Sequence, residues 1–168
     1  MAQKILKVVT GLKAQKLKVV DPVLGYSDTS TVMDDLDNVT FKTAKWLAFK
    51  ALRWFKHDRQ GKVDLEGFII LRSSPKHYHL VFNAPVSWTK NLHIIAWIAQ
   101  RIKNRSLNAY VIMQCIKESS TLRLGAKGDK PAPHIVFRYG KQDKQIKSYL
   151  KYRTLVLGVN KKLKCARS

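Results

Sequence analysis

The sequence has little cysteine and few acidic residues, and it has no long hydrophobic run. Its two cysteines, Cys115 and Cys165, form neither a disulfide framework nor a zinc motif of Cys-x-x-Cys spacing, which favours a reducing, cytoplasmic location. No apolar segment reaches the roughly 18 residues that a transmembrane helix needs. The first ten residues lack the apolar core and cleavage site of a secretory signal. The sequence therefore predicts an intracellular protein without a membrane partner.

Positive charge is the unusual property of this chain. Its 168 residues include 32 Lys and Arg against 11 Asp and Glu, a formal net charge of +21. Hydrophobic residues make up 45% of the sequence, enough for a packed core, so disorder of the whole chain is not expected. A folded domain this basic is typical of proteins that bind a polyanion. We expect single-stranded or template DNA, or RNA, as the partner.

Hydrophobic periodicity predicts one α+β domain, with a mixed or antiparallel sheet and an RRM-like core flanked by helices. We place this domain at residues 1–160 and a basic tail at 161–168. Helices are expected at Phe41–Lys56, capped by Asn38 or Thr40, and at Trp88–Lys103 and Lys144–Tyr152. Loops are expected at Asp21–Ser30 and Gly125–Pro133. The expected strands are Ile5–Val9, Leu17–Val20, Thr31–Leu36, Gly67–Leu71, His77–Phe82, Tyr110–Ile116, Thr121–Leu124, His134–Tyr139 and Thr154–Val159.

Almost half of the acidic residues fall within one short segment. Five of the eleven lie within seventeen residues: Asp21, Asp28, Asp34, Asp35 and Asp37. Residues at i and i+2 of a strand point to the same side, so Asp35 and Asp37 project together. Adjacent carboxylates repel each other unless a proton or a cation lies between them, and Mg²⁺ or Mn²⁺ would satisfy both. The alternative is structural, with the acids capping a helix and solvating a loop.

A second group of candidate residues is the segment Ser73-Ser74-Pro75-Lys76-His77-Tyr78-His79. His77 and His79 share one face of a strand, whereas Tyr78 takes the other face. Such a pair of imidazoles would bind a metal ion, or one of them would contact a phosphate. The alternative is that His77 is a turn residue and that His79 is a partly buried imidazole with a structural partner.

A third group follows later, at Ser119-Ser120-Thr121-Leu122-Arg123-Leu124-Gly125-Ala126-Lys127-Gly128. A strand there would deliver Arg123 to a glycine-flanked loop that also carries Lys127. Exposed backbone N–H groups with an arginine and a lysine suit a triphosphate. The alternative is a lysine-rich surface loop, which is common in so basic a chain.

The order of these groups resembles the catalytic core of the archaeo-eukaryotic primase superfamily, in particular the small primase-polymerases of archaeal plasmids and viruses. The matching segments are Val32-Met33-Asp34-Asp35-Leu36-Asp37, the helix 41–56, the segment 68–82 with its serines and His79, and Thr121-Leu122-Arg123-Leu124-Gly125 with Lys127. The resemblance covers about residues 31–140. One departure is Asp34, which stands where the family usually has an apolar residue.

The resemblance implies a replication protein that binds DNA and transfers nucleotides onto a nucleic-acid template with Mg²⁺ or Mn²⁺. Its implied catalytic residues are Asp35, Asp37 and His79, and the third acidic ligand of the family falls nearest to Glu118. The nucleotide-binding residues that it implies are Ser74, His79, Arg123 and Lys127. Nucleoside triphosphates are then substrates, and a helicase or another replication protein is an expected partner.

A second class of enzyme competes with this interpretation. His77-Tyr78-His79 is similar to the His-hydrophobic-His motif of HUH replication initiators and relaxases. Those enzymes bind a metal with the histidine pair and nick single-stranded DNA with a tyrosine on a later helix, for which Tyr149 is the candidate here. This alternative leaves the acidic pair and the Arg123 loop unexplained. A third possibility is a basic protein that coats DNA or RNA without catalysis.

Overall fold

A computed structural model describes residues 24–58 and 61–165 of the chain. They form the single α+β domain that the sequence predicts. The elements in chain order are β1 (Gly25–Asp28), β2 (Thr31–Asp37), α1 (Phe41–Lys56), β3 (Gly67–Ser74), β4 (His77–Pro85), α2 (Trp88–Ile102), α3 (Arg105–Lys117), β5 (Ser120–Arg123), β6 (His134–Gly140) and α4 (Gln145–Cys165). The strands expected at Ile5–Val9 and Leu17–Val20 lie outside the described residues. No helix in the described ranges is long and apolar enough to cross a membrane.

The main sheet has four strands in the order β2-β4-β3-β6, and each neighbouring pair is antiparallel. The short strands β1 and β5 form a separate antiparallel pair. Strand β4 therefore lies between β2 and β3, and α1 is the crossover that connects β2 to β3. The antiparallel sheet confirms the expected fold class, while the RRM-like description of its core stays a prediction.

Side chains of β2 alternate between the two faces of this sheet. Val32 and Leu36 face α1 and α2, whereas Met33 faces β5 and α4. Asp35 and Asp37 follow Met33 at steps of two residues, so they lie on the same face as Met33. The helix-side core includes the apolar stripe of α1, formed by Ala44, Leu47, Ala48, Ala51 and Phe55, and the opposite core includes Ile69, Leu71, Val81, Leu122, Ile146 and Tyr149.

Two hydrogen bonds fix the chain at the end of the sheet near the acidic pair. The side chain of Thr40 accepts a hydrogen bond from the Thr43 backbone N–H, which starts α1 three residues after β2. The β3–β4 turn consists of Pro75 and Lys76, and Lys76 takes a left-handed φ of 61°. The Lys76 carbonyl accepts from the Val39 backbone N–H at 3.0 Å, so the turn is tied to the end of β2.

Two of the expected strands are wrong. Tyr110–Ile116 belongs to helix α3, although its valine, isoleucines and tyrosine favour a strand. The Asn104 side chain caps this helix by accepting from the Ser106 N–H, and residues at helical spacing, Leu107 and Gln114, are buried. Packing against the sheet thus overrides the strand propensity.

Thr154–Val159 is likewise helical, because α4 continues through Cys165 rather than ending at Tyr152. The branched side chain of Thr154 disfavours a helix, but its hydroxyl donates to the Leu150 carbonyl four residues earlier, a hydrogen bond that forms within the helix. The segment expected as a tail therefore begins inside α4. The expected loop at Asp21–Ser30 also contains β1, whose pairing with the distant β5 is not visible in local sequence.

Candidate active site

The candidate site lies where β2 and β4 run side by side near the β3–β4 turn. The strand register pairs Asp35 with His79 and Asp37 with His77. All four side chains lie on the sheet face that β5 and α4 partly cover. The structure therefore brings together the acidic pair and both histidines that the sequence singles out.

The two carboxylate–imidazole pairs differ in contact and burial. Nδ1 of His77 lies 2.5 Å from Oδ1 of Asp37, a short hydrogen bond between two partly exposed side chains. Nε2 of His79 lies 3.6 Å from Oδ1 of Asp35, beyond direct hydrogen-bonding distance. His79 is only 2% exposed, and its burial, assisted by the Arg123 charge, lowers its pKa to about 3. His79 is therefore a neutral imidazole at physiological pH, able to bind a metal or to donate one N–H.

Asp35 carries a carboxylate that its surroundings do not neutralise. Burial, and then the negative charge of Asp37, raise the pKa of Asp35 to about 6. Electrostatic interactions with His77, Arg123 and Lys130 oppose this rise without cancelling it. Two carboxylates on one strand face are therefore in the situation in which a bound cation would stabilise both.

Arg123 reaches the site from the end of β5. One guanidinium nitrogen donates to the carbonyl oxygens of Gly125 at 2.5 Å and Pro131 at 2.9 Å, which fixes the loop that follows the strand. Burial lowers the Arg123 pKa, and the nearby Asp35 carboxylate opposes that change. Arg123, for which the resemblance implies a nucleotide contact, is thus close enough to Asp35 for the two charges to interact.

The loop after β5 carries two lysines, of which the sequence identified one. Lys127 is exposed, and its backbone forms a pair of hydrogen bonds with that of Lys130. It is Lys130 whose charge acts on Asp35. The sequence did not reveal this role, because only the folded loop turns Lys130 back toward the sheet.

Tyr149 of α4 lies on the same side of the sheet as the histidine pair. Its ring is fully buried and meets the edge of Tyr26 at 5.6 Å between centroids. Its hydroxyl has no hydrogen-bond partner in the described part of the chain. Burial raises the pKa of Tyr149 well above its ordinary value, against the charges of Arg153 and Arg123. The side chain proposed as a nickase nucleophile is therefore close to the site, but it is protonated and enclosed.

The remaining predicted residues are less closely connected to this site. Ser74 pairs with His77 across the turn and is half-buried, whereas the neighbouring Ser73 hydroxyl donates to the His77 carbonyl. Glu118 is exposed at the C-terminal end of α3, with φ of 54°. Within residues 24–58 and 61–165, no group of three or more His, Cys, Asp or Glu side chains is placed to hold a metal ion. The structure therefore does not bring Glu118 together with the acidic pair.

Asp34 and Asp28 of the N-terminal cluster have separate environments, and Asp21 lies outside the described residues. Asp34 points to the opposite face of β2 from Asp35 and is fully buried, and burial together with the Asp35 charge raises its pKa well above the ordinary value. Asp28 accepts hydrogen bonds from Ser30 and Thr31 in the β1–β2 turn. Asp28 therefore has a structural role in a turn, in line with the structural alternative for the acidic cluster, whereas Asp35 and Asp37 share the candidate site.

Comparisons of this chain with protein-family models, with curated proteins and with solved structures find no match. Function is therefore inferred from the arrangement of the site. Two carboxylates and two imidazoles lie on one sheet face with Arg123 nearby. Carboxylates are groups that proteins use toward divalent cations, and arginines are groups that they use toward phosphates.

Proposed function

We propose that this protein is a DNA-binding replication protein that resembles a primase-polymerase and transfers nucleotides onto a nucleic-acid template in a metal-dependent reaction. One observation carries the proposal: Asp35 and Asp37 share a strand face directly opposite His79 and His77, with Arg123 close enough to act on Asp35. Apart from His77, which belongs to the HUH alternative, these are residues that the resemblance implies, and they come from three separate parts of the chain.

The donor set fits Mg²⁺ or Mn²⁺. Mg²⁺ sites in phosphoryl-transfer enzymes commonly use one or two carboxylates together with substrate phosphates and water, so Asp35 and Asp37 suffice without Glu118. The side chains of both aspartates are 37% exposed, which leaves oxygen atoms accessible from solvent. A cation held there would supply charge neutralisation for the phosphates and activation of the attacking hydroxyl.

The other residues have roles that follow from their protonation and position. The neutral imidazole of His79 would donate an N–H to a phosphate oxygen of the nucleotide. The Arg123 guanidinium would offer its remaining N–H groups to the triphosphate while it holds the loop. Lys127, Lys130 and Ser74 would contact phosphate oxygens of the nucleotide, because ammonium and hydroxyl groups suit them.

Template-directed incorporation of a labelled nucleotide in Mn²⁺ tests the proposal. The double substitution Asp35→Asn with Asp37→Asn should abolish incorporation, because it removes both charged ligands while preserving side-chain size. DNA binding should stay intact or become stronger, because two negative charges are lost. The control is Asp64→Asn, an exposed carboxylate beyond α1, which should leave incorporation unchanged. Absence of incorporation by the unaltered protein, or its persistence in the double variant, would contradict the proposal.

A nickase of the HUH type is the second candidate, and the position of Tyr149 favours it. An unpartnered hydroxyl lies on the same side of the sheet as His77 and His79. Such an enzyme attacks the DNA backbone with its tyrosine and passes through a covalent 5′-phosphotyrosine. Our proposal predicts that single-stranded DNA with Mn²⁺ gives no denaturation-resistant adduct. An adduct that disappears in Tyr149→Phe would establish the nickase instead.

The proposal also assigns partners and location. Template DNA and nucleoside triphosphates are the expected ligands, and a helicase or another replication protein is the expected protein partner. We infer a reducing cytoplasmic environment, in which the exposed Cys115 would remain a free thiol.

A further inference from the structure

A groove lies between α1 and α2, on the opposite face of the sheet from Asp35. Its volume is about 780 Å³. Both helices pack on the core that contains Val32 and Leu36, whereas the candidate active site lies on the Met33 face. The groove is therefore a separate surface that the proposed chemistry does not use.

Aromatic residues from both helices line this groove. Trp46 and Trp54 project from α1, and Trp97 comes from α2. Trp46 and Trp54 are 45% and 51% exposed, although large aromatic side chains are usually buried. Trp54 follows Trp46 by eight positions in the helix, a distance of about 12 Å along its axis. Their spacing would let two rings contact different bases of one strand.

Contacts between aromatic rings fix the positions of two of the indoles in the groove. The indoles of Trp54 and Trp97 lie 5.6 Å apart between centroids, with an angle of 35° between their planes. Trp97 in turn packs against the buried Phe55, at 5.5 Å. Arg101 lies above both indoles, at 4.2 Å from Trp97 and 5.3 Å from Trp54. One end of the groove is therefore a supported aromatic platform with a cation beside it.

The charge of the groove is positive. Lys50, Arg53 and Arg101 are exposed on its walls, and none of the three forms an ion pair with another described residue. Its one acid, Asp58, contacts the Lys90 ammonium at 2.8 Å, so a positive partner offsets that charge. Exposed aromatic rings among cations are the combination that binds single strands, since bases stack while phosphates meet the positive charges.

We propose that this groove binds single-stranded nucleic acid, with unpaired bases stacking on Trp46 and Trp54 and with phosphates contacting Lys50, Arg53 and Arg101. The inference goes beyond nucleotidyl transfer, because it concerns a strand held on the far side of the sheet. It requires neither a divalent cation nor a nucleotide at Asp35 and Asp37.

Titration with an oligo(dT) strand in EDTA, without nucleotide, tests this binding through intrinsic tryptophan fluorescence. Three of the four tryptophans line the groove, so stacked bases should quench most of the signal. Trp46→Leu should weaken binding roughly 5- to 140-fold, the range for the loss of one stacked base. Trp46→Phe should keep most of the affinity, and Trp88→Phe, outside the groove, should keep both affinity and quenching.

Charge variants and competitors complete the test. Lys50→Gln and Arg101→Gln should each reduce the slope of log K against log salt by about 0.7, because each removes one phosphate contact. The same quenching is expected in the Asp35→Asn, Asp37→Asn double variant, so failure of catalysis and failure of this groove are distinguishable. Unchanged affinity in Trp46→Leu would overturn the inference. Equal quenching by duplex DNA or polyglutamate at matched charge would also overturn it, because neither offers unpaired bases.

Discussion

Tyr149→Phe should make the protein more stable. The substitution keeps the buried ring and its edge contact with Tyr26, and it removes a hydroxyl that has no partner among the described residues. A buried polar group without a hydrogen bond costs about 1–3 kcal/mol, so the free energy of unfolding should rise by that order. In a domain of this size, each kcal/mol raises Tm by roughly 2–4 °C. Thermal unfolding followed by circular dichroism measures this change.

Tyr110→Phe is the matched control, with the opposite expected sign. The Tyr110 hydroxyl donates to the carbonyl oxygens of Met33 at 3.0 Å and Thr121 at 3.3 Å, so its loss should destabilise the protein by about 1 kcal/mol. A lower Tm in Tyr149→Phe, as expected for Tyr110→Phe, would contradict this prediction, because the Tyr149 hydroxyl would then have a partner. The Tyr149→Phe variant should also incorporate nucleotides as the unaltered protein does.

Three further predictions concern backbone, charge and substrate. Gly67→Ala should lower the free energy of unfolding by at least about 1–3 kcal/mol, because a Cβ there would lie 2.4 Å from the Lys141 carbonyl oxygen. Gly158→Ala on α4 is the control and should be tolerated, because a Cβ there would meet no atom within 4 Å. In EDTA, Asp34→Asn should stabilise the protein increasingly above about pH 4, by up to about 1.4 kcal/mol of unfolding free energy per pH unit, because folding raises the Asp34 pKa. Denaturant titrations from pH 4 to 7 measure this change. Parallel curves of unfolding free energy against pH for the two proteins would contradict it. Arg123→Ala should raise KM for the nucleotide about tenfold or more in steady-state incorporation, and an unchanged KM would remove Arg123 from the nucleotide site.

The parts of the fold that local sequence specifies were predicted well. Helix α1 has the expected limits, because its apolar spacing and the Thr40 cap are local features. The β3–β4 hairpin was also expected, since Pro75 interrupts two apolar runs. Helix α3 was not, because its interior is rich in strand-forming side chains and its buried face depends on contacts distant in sequence.

The candidate site could be predicted in composition but not in geometry. Strand alternation placed Asp35 with Asp37 and His77 with His79, each pair on its own strand. The register that sets these two pairs opposite each other is a long-range property, as is the fold that buries Tyr149 nearby. The Trp46–Trp97 groove was also not foreseen, because its walls come from two helices that meet only in the folded chain.

The proposed function depends most on a divalent cation held by Asp35 and Asp37. Paramagnetic broadening of histidine NMR signals by Mn²⁺ is the most direct test, since two of the five imidazoles, His77 and His79, lie at the proposed cation site and the others lie elsewhere. We expect the signals of His77 and His79 to broaden at Mn²⁺ concentrations that leave His57 and His93 sharp. We also expect the Asp35→Asn, Asp37→Asn double variant to lose this selectivity. Selective broadening that persists in the double variant, or equal broadening of all five signals in the unaltered protein, would contradict the claim.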